Sequence, residues 1–127
     1  MQIPANRTDE LSLTELGVEA VQLLCSGNIH ALVNRFGYAL ALGREISSAV
    51  REDLAQCLTE LHAGGLIHPS QPTSTVVKYF EANETGLFAL VECTAPADNG
   101  SEILVELIVT SKGLEMHVTL EQISVAA

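Results

Sequence analysis

The spacing of apolar positions changes once along the chain, and the change divides it into a helical first half and an extended second half. Leu13, Leu16, Ala20, Val21 and Leu24 recur at spacings of three, four and one, which lays them along one stripe of a helix. Ser12 with Glu15 three residues later reads as a capping box at its start, and Gly27 as its stop. Asn28 stands where it can cap a second, short helix, with Ile29, Leu32, Val33 and Phe36 on one face before Gly37. Ser47 or Ser48 opens a third, in which Val50, Leu54, Cys57, Leu58 and Leu61 keep helical spacing up to Gly64-Gly65. Between the second and third helices, residues 38–42 (Tyr-Ala-Leu-Ala-Leu) fit a short strand after the Gly37 break.

Residues 66–74, with Pro69 and Pro72, read as a loop. From there the period is two, and 75–82, 87–95, 102–110 and 114–125 are expected to be strands. The intervening Asn83–Gly86, Ala95–Gly100 and Ser111–Gly113 segments suit tight reversals, so an antiparallel meander is the simplest topology. The pattern therefore predicts an α+β fold with three N-terminal helices packed on an antiparallel sheet. Residues 1–10 are expected to form a flexible N-terminal segment and 11–127 a single domain.

The strand faces differ in chemistry. One carries Leu87, Ala89, Val91 and Cys93, then Ile103, Val105, Leu107 and Val109, then Leu114, Met116, Val118 and Leu120; it must meet the helices, since the two layers form the only core available. The other mixes Phe88, Leu90, Leu104 and Ile108 with Glu92, Thr94, Glu106, Thr110, His117 and Thr119. That is more apolar than a face meeting only water. Self-association through Phe88, Leu90, Leu104, Ile108 and His117 is the economical expectation, because a twofold dimer covers the patch without extra chain.

Charge narrows the partners. Sixteen acidic residues against six basic ones leave a formal charge of −10 over 127 residues, so nucleic acid and anionic membrane are not expected partners; the same charge would favour a basic protein as a partner other than a second copy, although acidity alone is common in proteins that have none. No apolar run is long enough to span a membrane, and the opening residues lack the regions of a signal peptide, so a cytoplasmic location is expected. Cys25, Cys57 and Cys93 are odd in number and each sits in an apolar pattern, as reduced core thiols would.

The order of two helices, a short strand, a third helix and a four-strand meander resembles the cone-shaped, cystatin-like fold of the nuclear transport factor 2-like superfamily. Residues 26–32 (Ser-Gly-Asn-Ile-His-Ala-Leu) are similar to that superfamily's link between its first helices, and Ser48 to Leu61 resembles its amphipathic third helix. The resemblance spans roughly residues 11 to 126 and implies a curved sheet closing a cone. Proteins of that fold include ketosteroid isomerases, polyketide cyclases and dehydratases, whose acid–base group lies inside the cone, and proteins that only bind or dimerise. Residues 34–38 here hold no carboxylate where the isomerase-like members use an aspartate, which weakens an enzymatic reading.

Any pocket between the layers is expected to be lined by Tyr38, Tyr79, Val91, Val105 and Met116 and to suit a small apolar ligand. Tyr38 and Tyr79, with His62, His68 and His117, are the groups able to share protons there, yet no two form a recognisable motif, so no catalytic residue is assigned. His117 is expected to pair with Glu106 or Glu92 across the sheet. Glu52 and Asp53 lie off the apolar stripe and are expected to face solvent. No metal-ligand spacing, Walker loop, GxGxxG, GxSxG or HExxH pattern occurs, and no cofactor is expected. Three functions fit: a non-enzymatic, dimer-forming or apolar-ligand-binding protein; a small-molecule isomerase, cyclase or dehydratase; and an acidic inhibitor or immunity protein for a basic partner.

Overall fold

Aspartate 9, rather than Ser12, opens the first helix. In the computed structural model, which describes residues 1–69 and 74–126, the Asp9 carboxylate accepts from the Ser12 backbone N–H at 3.2 Å and from the Ser12 hydroxyl at 2.6 Å. Ser12 is thus the donor of the cap, and the helix begins two residues before it. The third helix repeats this displacement: Glu45 caps it by accepting from Ser48 N at 2.7 Å, in place of Ser47 or Ser48. An acidic side chain satisfies a free N–H as a hydroxyl does and also meets the positive end of the helix dipole. Asn28 sits at the cap position of the second helix without a side-chain cap bond.

In chain order the elements are β1 (Gln2–Ile3), α1 (Glu10–Cys25), α2 (Ile29–Phe36), α3 (Ile46–Glu60), β2 (Thr75–Tyr79), β3 (Leu87–Pro96), β4 (Glu102–Lys112) and β5 (Glu115–Val125). Three helices thus precede the long strands, in an α+β fold. The predicted strand at 38–42 is instead a 3₁₀ turn over Ala39–Ala41. It runs into Leu42 and Gly43, both at positive φ (51° and 85°), and Arg44 N closes on Ala41 O at 3.0 Å. Four apolar residues in five gave the segment a strand-like composition, but it has no strand partner and reverses direction. Residues 70–73, within the expected 66–74 loop, and residue 127, the end of the expected domain, lie outside the described residues.

The sheet order is β1-β5-β4-β3-β2, with every neighbouring pair antiparallel. Within residues 1–10, Gln2 and Ile3 pair with His117 and Met116, and Ile3 is buried. The inner face is as apolar as the pattern demanded: Ala89, Val91, Cys93, Ile103, Val105, Leu107, Val109, Val118 and Leu120 are wholly buried against Leu13, Ala20, Val21, Leu32 and Val50 of the helices. Contact is closest at Gly17, where a Cβ would stand 3.1 Å from Val91 Cγ1 and closer still to Cys93 Sγ. Only glycine lets α1 lie this near β3.

Two bulges depart from strict alternation. The first, between Leu87 and Ala89, pairs Leu87 with Thr110 of the outer face, so Leu87 leaves the inner set to which alternation assigned it. The same bulge packs Phe88 against the core, edge-on to the Tyr79 ring at 5.8 Å between centroids. The second lies in β5: Leu120 pairs with Leu107, but Gln122 pairs with Glu106, leaving Glu121 as the extra residue. Beyond it Ile123 and Val125 return to the core side, opposite Val105 and Ile103. Leu114, expected inside, lies in the β4–β5 turn and is 98% exposed.

Candidate functional site

The five expected pocket residues differ in burial. Val91 and Val105 are wholly buried, and Tyr38 and Met116 nearly so. No water-sized space opens against the two valines, because neighbouring side chains cover them completely. Tyr79 stands apart, about half exposed, and its hydroxyl donates to Thr8 O at 2.8 Å, fastening β2 to the approach of α1. Burial also pushes the Cys93 thiol up to about 11, which leaves it uncharged and unreactive at neutral pH.

Tyr38 has the carboxylate partner that its own segment lacks. Its hydroxyl donates to Asp53 Oδ2 at 2.5 Å, and Arg44 grips the same carboxylate through Nη1–Oδ1 at 2.9 Å and Nη2–Oδ2 at 3.1 Å. Arg44 further donates to Ala41 O and Leu40 O and pairs with Glu52 at 3.1 Å. Asp53 is therefore not the free solvent-facing group that the helix stripe implied, although Glu52 is exposed. The Arg44 guanidinium holds the Asp53 carboxyl below its ordinary value, and burial, then the bond to Asp53, raises the Tyr38 phenol. A base made weaker and an acid made weaker, already bonded to each other, are unsuited to exchanging protons with a substrate near neutrality. The trio instead locks the 39–44 turn onto α3.

The remaining titratable candidates are dispersed. His62 and His68 are exposed near the end of α3. His117 lies 3.3 Å from Glu115 of its own strand, not from Glu92 or Glu106, because its cross-strand neighbours are Thr110 and Gln2. Among the described residues no three His, Cys, Asp or Glu side chains converge as metal ligands, and no helix is long and apolar enough to cross a membrane.

The outer face of the sheet carries the denser chemistry. Pairing aligns its residues in rows across the strands: Thr94, Leu104 and Ser124; then Val76, Glu92, Glu106 and Gln122; then Lys78, Leu90, Ile108 and Thr119. All three helices pack on the opposite side, so Leu90, Leu104 and Ile108 stay partly exposed and Val76 is 51% exposed. Of the five expected interface residues these three are brought together, Phe88 turns to the core, and His117 lies two rows away from the carboxylates. In the middle row Glu92 and Glu106 are directly opposite each other, a like-charge pair that costs stability. Lys78 Nζ holds Glu92 Oε1 at 2.5 Å. Burial, then the charges of Glu92 and Glu121, raises the Glu106 carboxyl above its ordinary value.

The chain matches no known protein family. Nor does any curated protein or solved structure match it. Its function therefore rests on the residues themselves.

Glu121 escaped the sequence reading, though a signal for it exists. The apolar positions of β5 step by two from Met116 to Leu120 and then by three to Ile123, which is the footprint of one inserted residue.

Proposed function

We propose that this chain is a non-enzymatic interaction protein that docks the uncovered face of its sheet onto a basic protein partner. One observation carries the reading: Glu92, Glu106 and Glu121 stand together on three adjacent strands, between Leu104 on one side and Leu90 and Ile108 on the other. Apolar surface beside contiguous charge is the composition of a docking face whose charge steers the partner and whose hydrocarbon holds it. A like-charge pair kept on a solvent-facing sheet at a cost to stability also fits a surface retained for binding.

The apolar residues alone would favour a second copy. Each copy would then bring three carboxylates and one ammonium, Lys78, into the same desolvated contact, and that excess of like charge opposes self-pairing. A cationic partner removes the excess. The Tyr38–Asp53–Arg44 lock leaves the isomerase-like reading without a free acid–base pair at Tyr38.

The proposal extends to membership of the nuclear transport factor 2-like superfamily, on the order of helices before meander; the turn at Ala39–Ala41 is the departure from that order. Three unpaired cysteines suit a reducing, cytoplasmic setting.

Titration of the labelled chain with a lysine oligomer, followed by amide NMR shifts, tests the reading. Shifts centred on residues 90–94, 104–108 and 119–122 are expected. Shifts confined to other surfaces, or none, would overturn it.

A further inference from the structure

The turn from β2 to β3 holds two large apolar side chains in water. Phe80 is 41% and Leu87 38% exposed, and with Phe88 they supply the hydrocarbon of a cleft of ≈ 420 Å³, a size that suits a small molecule. Phe80 N donates to Phe88 O at 2.9 Å, which sets the two phenylalanines opposite each other across the hairpin.

The loop that walls the cleft is fixed by one side chain. Asn83 Nδ2 donates to Glu81 O at 2.8 Å and to Leu87 O at 2.9 Å, while its Oδ1 accepts from Thr85 N at 3.1 Å and Leu87 N at 3.2 Å. Gly86 then closes on β4, where Ser111 N donates to Gly86 O at 2.7 Å, and a Cβ on Gly86 would stand 2.6 Å from Ser111 O. A site already held in shape loses little free energy to ordering when a ligand enters.

Charge selects the ligand. Glu84 is the one charged residue among those lining the cleft, and no ion pair holds it among the described residues. An anion is repelled there, both by Glu84 and by the net charge of −10. A neutral apolar occupant takes water from the carboxylate and returns no partner to it. A primary ammonium is compact and strongly hydrated, so it gains little from hydrocarbon. An ammonium that carries apolar groups satisfies both parts of the cleft, since its substituents cover Phe80, Leu87 and Phe88 while its charge is attracted by Glu84 and by the phenyl faces.

We propose that this cleft is a binding site for a small organic cation of the alkylated-ammonium class. It is separate from the docking face, for none of its residues belongs to the group around Glu92, Glu106 and Glu121.

Benzyltrimethylammonium, with benzyl alcohol as its neutral counterpart, tests the site by amide NMR titration of the whole labelled chain. The cation is expected to give saturable shifts at residues 80–88 and 111, and the alcohol to bind about fivefold more weakly. Phe80→Leu, which keeps hydrocarbon and removes the ring, and Glu84→Gln should each weaken the cation by about threefold. Equal affinity for the two probes, affinity indifferent to both substitutions, or shifts centred away from the cleft would overturn the proposal.

Discussion

Tyr38 and Asp53 are joined by a 2.5 Å hydrogen bond between the 3₁₀ turn and α3, with Arg44 closing the same carboxylate through two nitrogens. The tyrosine is buried and its ring is part of the core. Tyr38→Phe keeps the ring and removes the donor, so the loss should be about 2 kcal/mol, as for a hydrogen bond to a charged group. A lower urea midpoint with unchanged slope is the expected result. An unchanged midpoint would mean that water replaces the hydroxyl without cost.

Gly17→Ala should destabilise the chain by about 1–3 kcal/mol, the range for overpacking, even though alanine is the better helix former. The new methyl would collide with Cys93 Sγ, and Cys93 is wholly buried with no direction in which to retreat. Cys93→Ala in the same chain should recover most of that loss. A denaturant double-mutant cycle measures the coupling, and additive effects would refute the contact.

Leu42→Asn should stabilise by about 1 kcal/mol, because a branched side chain at positive φ is strained and asparagine tolerates that region. Leu42 is 80% exposed, so nothing is lost from the core. Thermal unfolding would show a higher midpoint. A lower one would mean that the leucine packs in a way its exposure does not suggest.

Glu106 predicts a pH dependence of definite sign. Its carboxyl titrates above the ordinary 4.5 in the folded chain, so in that window the folded form holds more protons than the unfolded form. Stability contributed by this group therefore falls as pH rises through its folded-state pKa, and the deficit persists at neutrality. Glu106→Gln should raise the urea midpoint at pH 7 and lose that advantage once the wild-type carboxyl is protonated in both states, below about pH 4. The same change should weaken binding of a basic peptide. A gain in stability with a loss of binding is what separates a docking residue from a structural one.

The layers of this fold were legible because burial on one face leaves a period that residues such as Leu13, Val21, Val91 and Val105 cannot disguise. The strand ends were legible through Gly86 and Gly113, both at positive φ. Other features depend on contacts that no local period records. The Arg44–Asp53 pair joins a turn to a helix, so helical spacing alone could not reveal that Asp53 is engaged. Asp9 and Glu45 displaced serine caps because several side chains near a helix start can accept the same N–H, and backbone geometry selects among them. The acidic cluster appears only once register is known, since Glu92 and Glu106 are well separated along the chain and become cross-strand partners, and Glu121 falls at the bulge beside Gln122, the other partner of Glu106.

The irregularity in β5 ties two properties of the molecule to a single codon. The residue that resets alternation, so that Ile123 and Val125 return to the core, is also the one whose charge joins the carboxylate row. Deleting Glu121 would restore a regular pleat, leave Ile123 and Val125 on the core side opposite Val105 and Ile103, and remove the third charge of the proposed docking face in one event. Substitution, by contrast, would change the charge and leave the register alone. Drift at this position would therefore change the charge of the proposed docking face while leaving Ile123 and Val125 opposite Val105 and Ile103.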